Sequence, residues 1–128
     1  MNTFNLSTFS GRVLLALIFV ISGFGKLADP SGTIAYIASV GAPAPELAYG
    51  VALIVELGLG LALLLGYHAK ISALLIAGFT LATAFLFHFD FGNQIQTIMF
   101  LKNLAITGGL LQIVAHGAGG FSLDGARR

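Results

Sequence analysis

Four apolar runs, at about residues 9–27, 47–66, 70–88 and 98–116, decide what this chain can become. Each approaches the ~20 residues that an α-helix needs to cross the hydrocarbon core of a bilayer. A lipid-embedded segment must satisfy its own backbone hydrogen bonds, so runs of this purity read as membrane-spanning helices rather than as the interior of a soluble domain. Composition agrees. Of 128 residues, 57% are hydrophobic and 9% are charged, whereas a soluble domain carries roughly 25% charged residues to cover its surface. The reading is a single domain, 1–128, of all-α class: a transmembrane four-helix bundle with the lipid bilayer as its surroundings.

The first run ends in Gly25-Lys26-Leu27 without the small-residue step of a cleaved secretory signal. It therefore reads as a retained span whose two charges, Arg12 and Lys26, can snorkel. Between the first two runs, Asp29-Pro30 has the form of a helix start and Gly41-Ala42-Pro43 that of a stop. Ile34, Ile37 and Val40 fall between them at helical spacing, which predicts a short helix at the membrane surface. Residues 89–94 form the loop before the fourth span. With four spans, both termini share one side with Arg12, Lys70, Arg127 and Arg128, against one acid, Asp124. The other side carries Asp29, Glu46 and Asp90, with Lys26 and Lys102 as its only basic residues, both placed within helix ends. The positive-inside rule then makes both termini cytoplasmic. Glycines within the spans (Gly23, Gly25, Gly58, Gly60, Gly78, Gly108 and Gly109) are expected to let helices approach closely.

Several chemistries are excluded at once. With no cysteine in the sequence, disulfides, thiolate metal sites, iron–sulfur ligation and thiol redox steps are unavailable within this chain. Electron transfer would need a bound cofactor or a partner subunit. No basic tract indicates nucleic acid. No glycine pattern follows a strand to cradle a phosphate, and no serine of matching depth completes a triad with His88 and Asp90. His68 and His116 lie at similar depth near the same interface, but they lack the supporting residues of a haem site. No metal site is expected.

What remains is a set of ionisable groups where lipid makes them costly. Glu56 lies near mid-span, roughly 14 Å in from Leu47 at 1.5 Å per residue. An unpaired carboxylate there costs at least ~2.5 kcal/mol, so it must be neutral or paired with Lys26 or Lys102. Helical side chains lean toward the helix N-terminus, which makes Lys26 and Glu56 converge. Lys102 and Asn103 sit about one turn inside the fourth span, and His88 closes the third. Lys26, Glu56, His88, Lys102 and Asn103 are therefore the candidate ligand or proton site, all in the same half of the bundle. The competing reading is a buried ion pair that fixes helix register, with Lys102 snorkelling outward and His88 an interfacial residue.

The residues also carry a resemblance. It comprises Gly11-Arg12, Ser22-Gly23-Phe24-Gly25-Lys26-Leu27, the Gly32-Thr33 to Gly41-Ala42-Pro43 connector, Glu56, Gly66-Tyr67-His68-Ala69-Lys70 and His88. Phe100-Leu101-Lys102-Asn103-Leu104, Gly108-Gly109-Leu110-Leu111 and the tail Phe121-Ser122-Leu123-Asp124 complete it. Over nearly the whole chain this resembles the DoxX family of small four-helix bacterial membrane proteins, with Lys70 where the family usually has arginine. The resemblance implies the fold and an association with quinol- or thiosulfate-linked oxidoreductase complexes or redox-stress complexes; it does not assign a reaction.

Two functions stay open. One is a quinone-binding, at most accessory subunit of a membrane redox system, with a redox-protein partner and no covalent cofactor. The other is a non-catalytic scaffold whose buried charges lock helix packing. Solute transport fits less well, because the sequence shows neither an inverted repeat nor a Pro-broken span. A homo-oligomer is compatible with either function.

Overall fold

The computed structural model describes residues 3–126. Arg127 and Arg128, which contribute to the charge asymmetry, lie outside the described residues. Six helices follow in order: α1 (Thr3–Ala28), α2 (Pro30–Ser39), α3 (Pro45–Leu65), α4 (Ala69–Phe87), α5 (Gln94–His116) and α6 (Leu123–Ala126). Among the described residues there is no strand, and α1, α3, α4 and α5 are long and apolar enough to cross a membrane. The expected four-helix membrane fold, with a short helix between the first two spans, is what forms.

All four spanning helices begin before their apolar runs, α1 and α5 by the most. In α5 the Asn93 side chain accepts the Gln96 N–H at 3.1 Å, and Thr97 returns both N–H and Oγ1 to the Asn93 carbonyl. Polar capping of this kind extends a helix beyond what hydropathy can see. Lys102 is consequently eight residues past the start of α5, or about 12 Å along its axis. The start of α2 is capped as its Asp-Pro sequence suggests: the Asp29 side chain accepts the Gly32 N–H at 3.1 Å, with Pro30 in the first turn.

Packing divides the bundle into two ends. At the end carrying the termini, Ala16, Phe19, Leu63, Ala69, Ala73, Ile76, Ala77, Leu110 and Ile113 form a dense core. Its many alanines allow helix axes to come close. At the other end the bundle opens. The first half of α3, Pro45–Leu53, packs on α1 and α2 but makes at most marginal contact with α4 and α5, whereas its second half packs on α4. A wedge thus opens between α1–α3 and α4–α5, and α2 roofs it. The glycines split accordingly. A Cβ on Gly23 or Gly109 would crowd the neighbouring helix and one on Gly60 would just touch it, while one on Gly25, Gly58, Gly78 or Gly108 would meet nothing within 4 Å. The expectation of close packing therefore holds for the first three and is corrected for the other four.

Arg12 requires a larger correction. Instead of snorkelling it is 2% exposed. Its Nη1 donates to the Ala118 carbonyl at 2.6 Å, Nη2 to Phe121 at 3.1 Å and Nε to Leu64 at 3.4 Å. The physical cause is the chain reversal after α3 and α5, at Gly66 (φ +71) and Gly117 (φ +82), which leaves carbonyls of helix ends and tail pointing inward. A guanidinium can serve several of them with one fork of donors. The Phe-Ser-Leu-Asp tail completes this end: Asp124 accepts the N–H groups of His68 and Ala69, both at 2.8 Å, and so caps α4. Asp124→Ala should therefore cost about 1–2 kcal/mol, the scale of a lost N-cap. Thermal unfolding in mild detergent checks this, with Asp90→Ala, an exposed loop change, expected to stay within ~0.5 kcal/mol.

Candidate functional site

The site is built around a local departure from α-helical geometry. Within α3, residues Ile54–Leu59 form a π-helical segment, and Glu56 lies inside it. Such segments are rare and recur at functional positions, because the wider turn reorients side chains that a regular helix would place elsewhere. It coincides with the point where α3 leaves α4. Opposite it is Gly23 of α1, where a Cβ would stand 2.7 Å from Leu57 Cγ and 3.2 Å from Glu56 Cβ. Glycine at this position lets α1 lie directly against the π segment.

Close approach brings two charges together. Lys26 Nζ donates to Glu56 Oε1 at 3.0 Å and to Ser22 Oγ at 2.8 Å. Glu56 is 4% exposed, whereas the Lys26 side chain is 28% exposed. Tyr49 Oη also donates to the Lys26 carbonyl at 2.9 Å, joining the start of α3 to the end of α1. Glu56 Oε2 is different. It is buried and has no hydrogen-bond partner. A buried oxygen with open acceptor capacity is a costly state for a structural residue and a useful one for a binding or proton-exchanging group.

Across the wedge, Asn103 Nδ2 donates to the Thr80 carbonyl at 3.2 Å and to Thr83 Oγ1 at 3.3 Å. This fixes which end of the amide faces α4 and cross-links α4 to α5. His88 ends α4, and its Nδ1 is 2.7 Å from Gln96 Oε1. An amide oxygen only accepts, so this contact places the proton on Nδ1 and leaves Nε2 as an acceptor in the neutral ring.

These groups share one cavity of about 830 Å³. Lys26, Glu56, Asn103 and His88 line it, together with Phe19, Val51, Phe79, Leu86 and other apolar side chains. An apolar chamber of this size with a few converging polar groups is the usual form of a small-molecule site. Lys102 is not part of it. That residue is on the exposed face of α5, away from Glu56, so Lys26 is the counter-ion. Among the described residues no group of histidines and carboxylates could hold a metal.

Sequence reasoning missed Ser22, Tyr49, Thr80, Thr83 and the roof residue Tyr36. Ser22 was within reach, since a residue four positions before Lys26 shares its helical face. The others depend on contacts between helices.

Residues 7–89 match the DoxX family, a stretch that includes Lys26, Glu56 and His88. The chain belongs to that family. It is 41% identical over 113 residues to the inner membrane protein YqjF of Escherichia coli K12, covering 88% of this chain and 85% of the relative. It is 36% identical over 118 residues to the inner membrane protein YphA of the same organism, covering 88% and 84%. No solved structure matches. The Lys102-Asn103, Gly108-Gly109-Leu110-Leu111 and Phe121–Asp124 parts of the expected resemblance lie beyond the matched family segment, yet in this DoxX protein both Asn103 and Asp124 make specific contacts between elements.

Gly23→Ala should cost about 1–3 kcal/mol, the range for overpacking, because the new methyl meets Leu57 and the π segment. Gly58→Ala, facing open space, should be neutral or slightly stabilising. Chemical or thermal unfolding of the two variants side by side provides the measurement.

Proposed function

We propose that this DoxX protein is an inner-membrane, quinone-binding accessory subunit of a membrane redox system, with both termini cytoplasmic and the cavity in the outer half of the bilayer. One observation carries the reading. Glu56 lines an apolar cavity and holds a buried Oε2 without a hydrogen-bond partner, while its Oε1 is anchored by Lys26. The cavity volume falls within the roughly 300–1,000 Å³ of small-molecule sites. The donor set also fits a carbonyl-bearing ring: Lys26 supplies an ammonium, and His88 Nε2 and Glu56 Oε2 can accept or pass a proton.

A quinone supplies two-electron, two-proton chemistry when bound, and the electrons would come from the redox partner. The residues of this chain do the rest. Lys26 holds Oε1 and keeps the carboxyl group from rotating out of the wall. Glu56 can take up or release a proton at Oε2. Asn103, tied to α4 by its amide nitrogen, keeps Thr80 and Thr83 at the opposite wall. The apolar side chains exclude water, which strengthens each of these polar contacts.

The scaffold reading has its own support in the Lys26–Glu56 pair, which would fix helix register without any ligand. Breaking such a pair by removing one partner typically costs about 3–5 kcal/mol. The two readings separate on Glu56→Gln, which keeps shape and removes the charge. Quinone retained by protein purified in mild detergent should fall about tenfold or more in that variant, the scale of one charge-assisted hydrogen bond. Lys102→Gln should retain wild-type levels. Unchanged quinone in Glu56→Gln, with lowered thermal stability and lost partner pull-down, would establish the scaffold instead.

A further inference from the structure

The cavity has an open side, and its walls state what kind of molecule uses it. Ile18, Leu47, Val51 and Leu86 all line it, and each is 45–69% exposed, more than the wall of a closed chamber would show. Aliphatic side chains that line a chamber and stay this exposed mark the rim of an opening in its side. The opening follows from the wedge: α1 and the first half of α3 stand away from α4, with at most marginal contact. Polar groups converge inside, at Lys26, Glu56 and Asn103, whereas the rim is aliphatic.

Above this opening runs α2. It packs on α3 and α1, while its one ring contact with the far wall is Tyr36 stacked on Phe87, with centroids 5.5 Å apart and planes inclined by 20°. Both rings line the cavity, and Tyr36 is 47% exposed. A single aromatic pair is a weak fastening that thermal motion can release. The roof is joined to α3 through Gly41 and Ala44, both at positive φ (+82 and +46), so its attachment there is a turn rather than a continuous helix.

We propose that the cavity is loaded sideways from the membrane leaflet on the α2 side, by an amphipath whose hydrophobic tail stays in the cleft between α1 and α4, and that the Tyr36–Phe87 stack gates this route. The proposal rests on the cavity being a ligand site, as the function above requires, and it adds the route, the tail and the gate. A polar head group passes the aliphatic rim and meets Lys26 and Glu56, while the tail remains in lipid.

The absence of native cysteine permits a direct test. Ala52, buried on the cavity wall, is replaced by cysteine in the full chain, reconstituted in nanodiscs, and offered two maleimides. One carries a long alkyl chain and dissolves in the bilayer; the other is sulfonated and stays in water. The alkyl reagent should label Ala52→Cys at least about tenfold faster, since each methylene favours the bilayer. Adding Tyr36→Ala should accelerate alkyl labelling further, by severalfold. Equal labelling by the sulfonated reagent, or no effect of Tyr36→Ala, would overturn the proposal. Ala48→Cys, on the same wall, repeats the test should Ala52→Cys fold poorly. An isoprenoid benzoquinone added to the nanodiscs should protect the cysteine. Protection that is lost in Glu56→Gln supports both readings. Sideways labelling with protection unchanged in Glu56→Gln retains the route and rejects the role of Glu56.

Discussion

The arrangement of the whole α2 end depends on one interaction, the 3.0 Å contact between Lys26 and Glu56. A carboxylate at mid-span must be compensated, and the compensation has to come from another helix at the same depth. Lys26 can reach it only because Gly23 brings α1 against α3, and Glu56 is presented only because α3 widens into a π turn there. That turn redirects the first half of α3, which parts from α4 and leaves the cavity. The ion pair, the glycine, the π segment and the chamber are therefore one structural event.

Such an opening needs a rigid base. The end carrying the termini supplies it, through an alanine-rich core and two charged clamps of opposite sign. Arg12 collects carbonyls from the ends of α3 and the tail, and Asp124 collects N–H groups at the start of α4. Each satisfies backbone groups that a helix end leaves unpaired, which lipid would otherwise make expensive. The bundle is thus closed by charge at one end and opened by charge at the other. Asn103, linked to Thr80 and Thr83, keeps α4 and α5 together where the wedge would otherwise divide them as well.

The spans were legible in the sequence because hydropathy is a local property, and so was the α2 helix with its Asp-Pro start. The convergence of Lys26 and Glu56 was legible too, since helix polarity sets the direction in which side chains lean, but Lys102 stayed open as an alternative partner. Arg12 was misread because a guanidinium near a helix end looks the same whether it faces lipid headgroups or a tail folded back beneath it. Lys102 and Asn103 are adjacent in sequence, yet one lies on the exposed face of α5 and the other lines the cavity; a helical step of 100° separates two fates that composition treats alike. The π segment leaves no periodic mark in six residues, and the wedge it creates appears only when helices are seen together.

Whether Glu56 responds to a ligand is the central question, and infrared difference spectroscopy addresses it directly. Spectra of the reconstituted protein are taken with and without an isoprenoid benzoquinone, for the wild type and for Glu56→Gln. The expected result is a carboxyl difference band on ligand addition that disappears in Glu56→Gln and persists in Lys102→Gln. A wild-type spectrum with no carboxyl band, or a band that survives in Glu56→Gln, would contradict the account and leave the Lys26–Glu56 pair as a structural fastening.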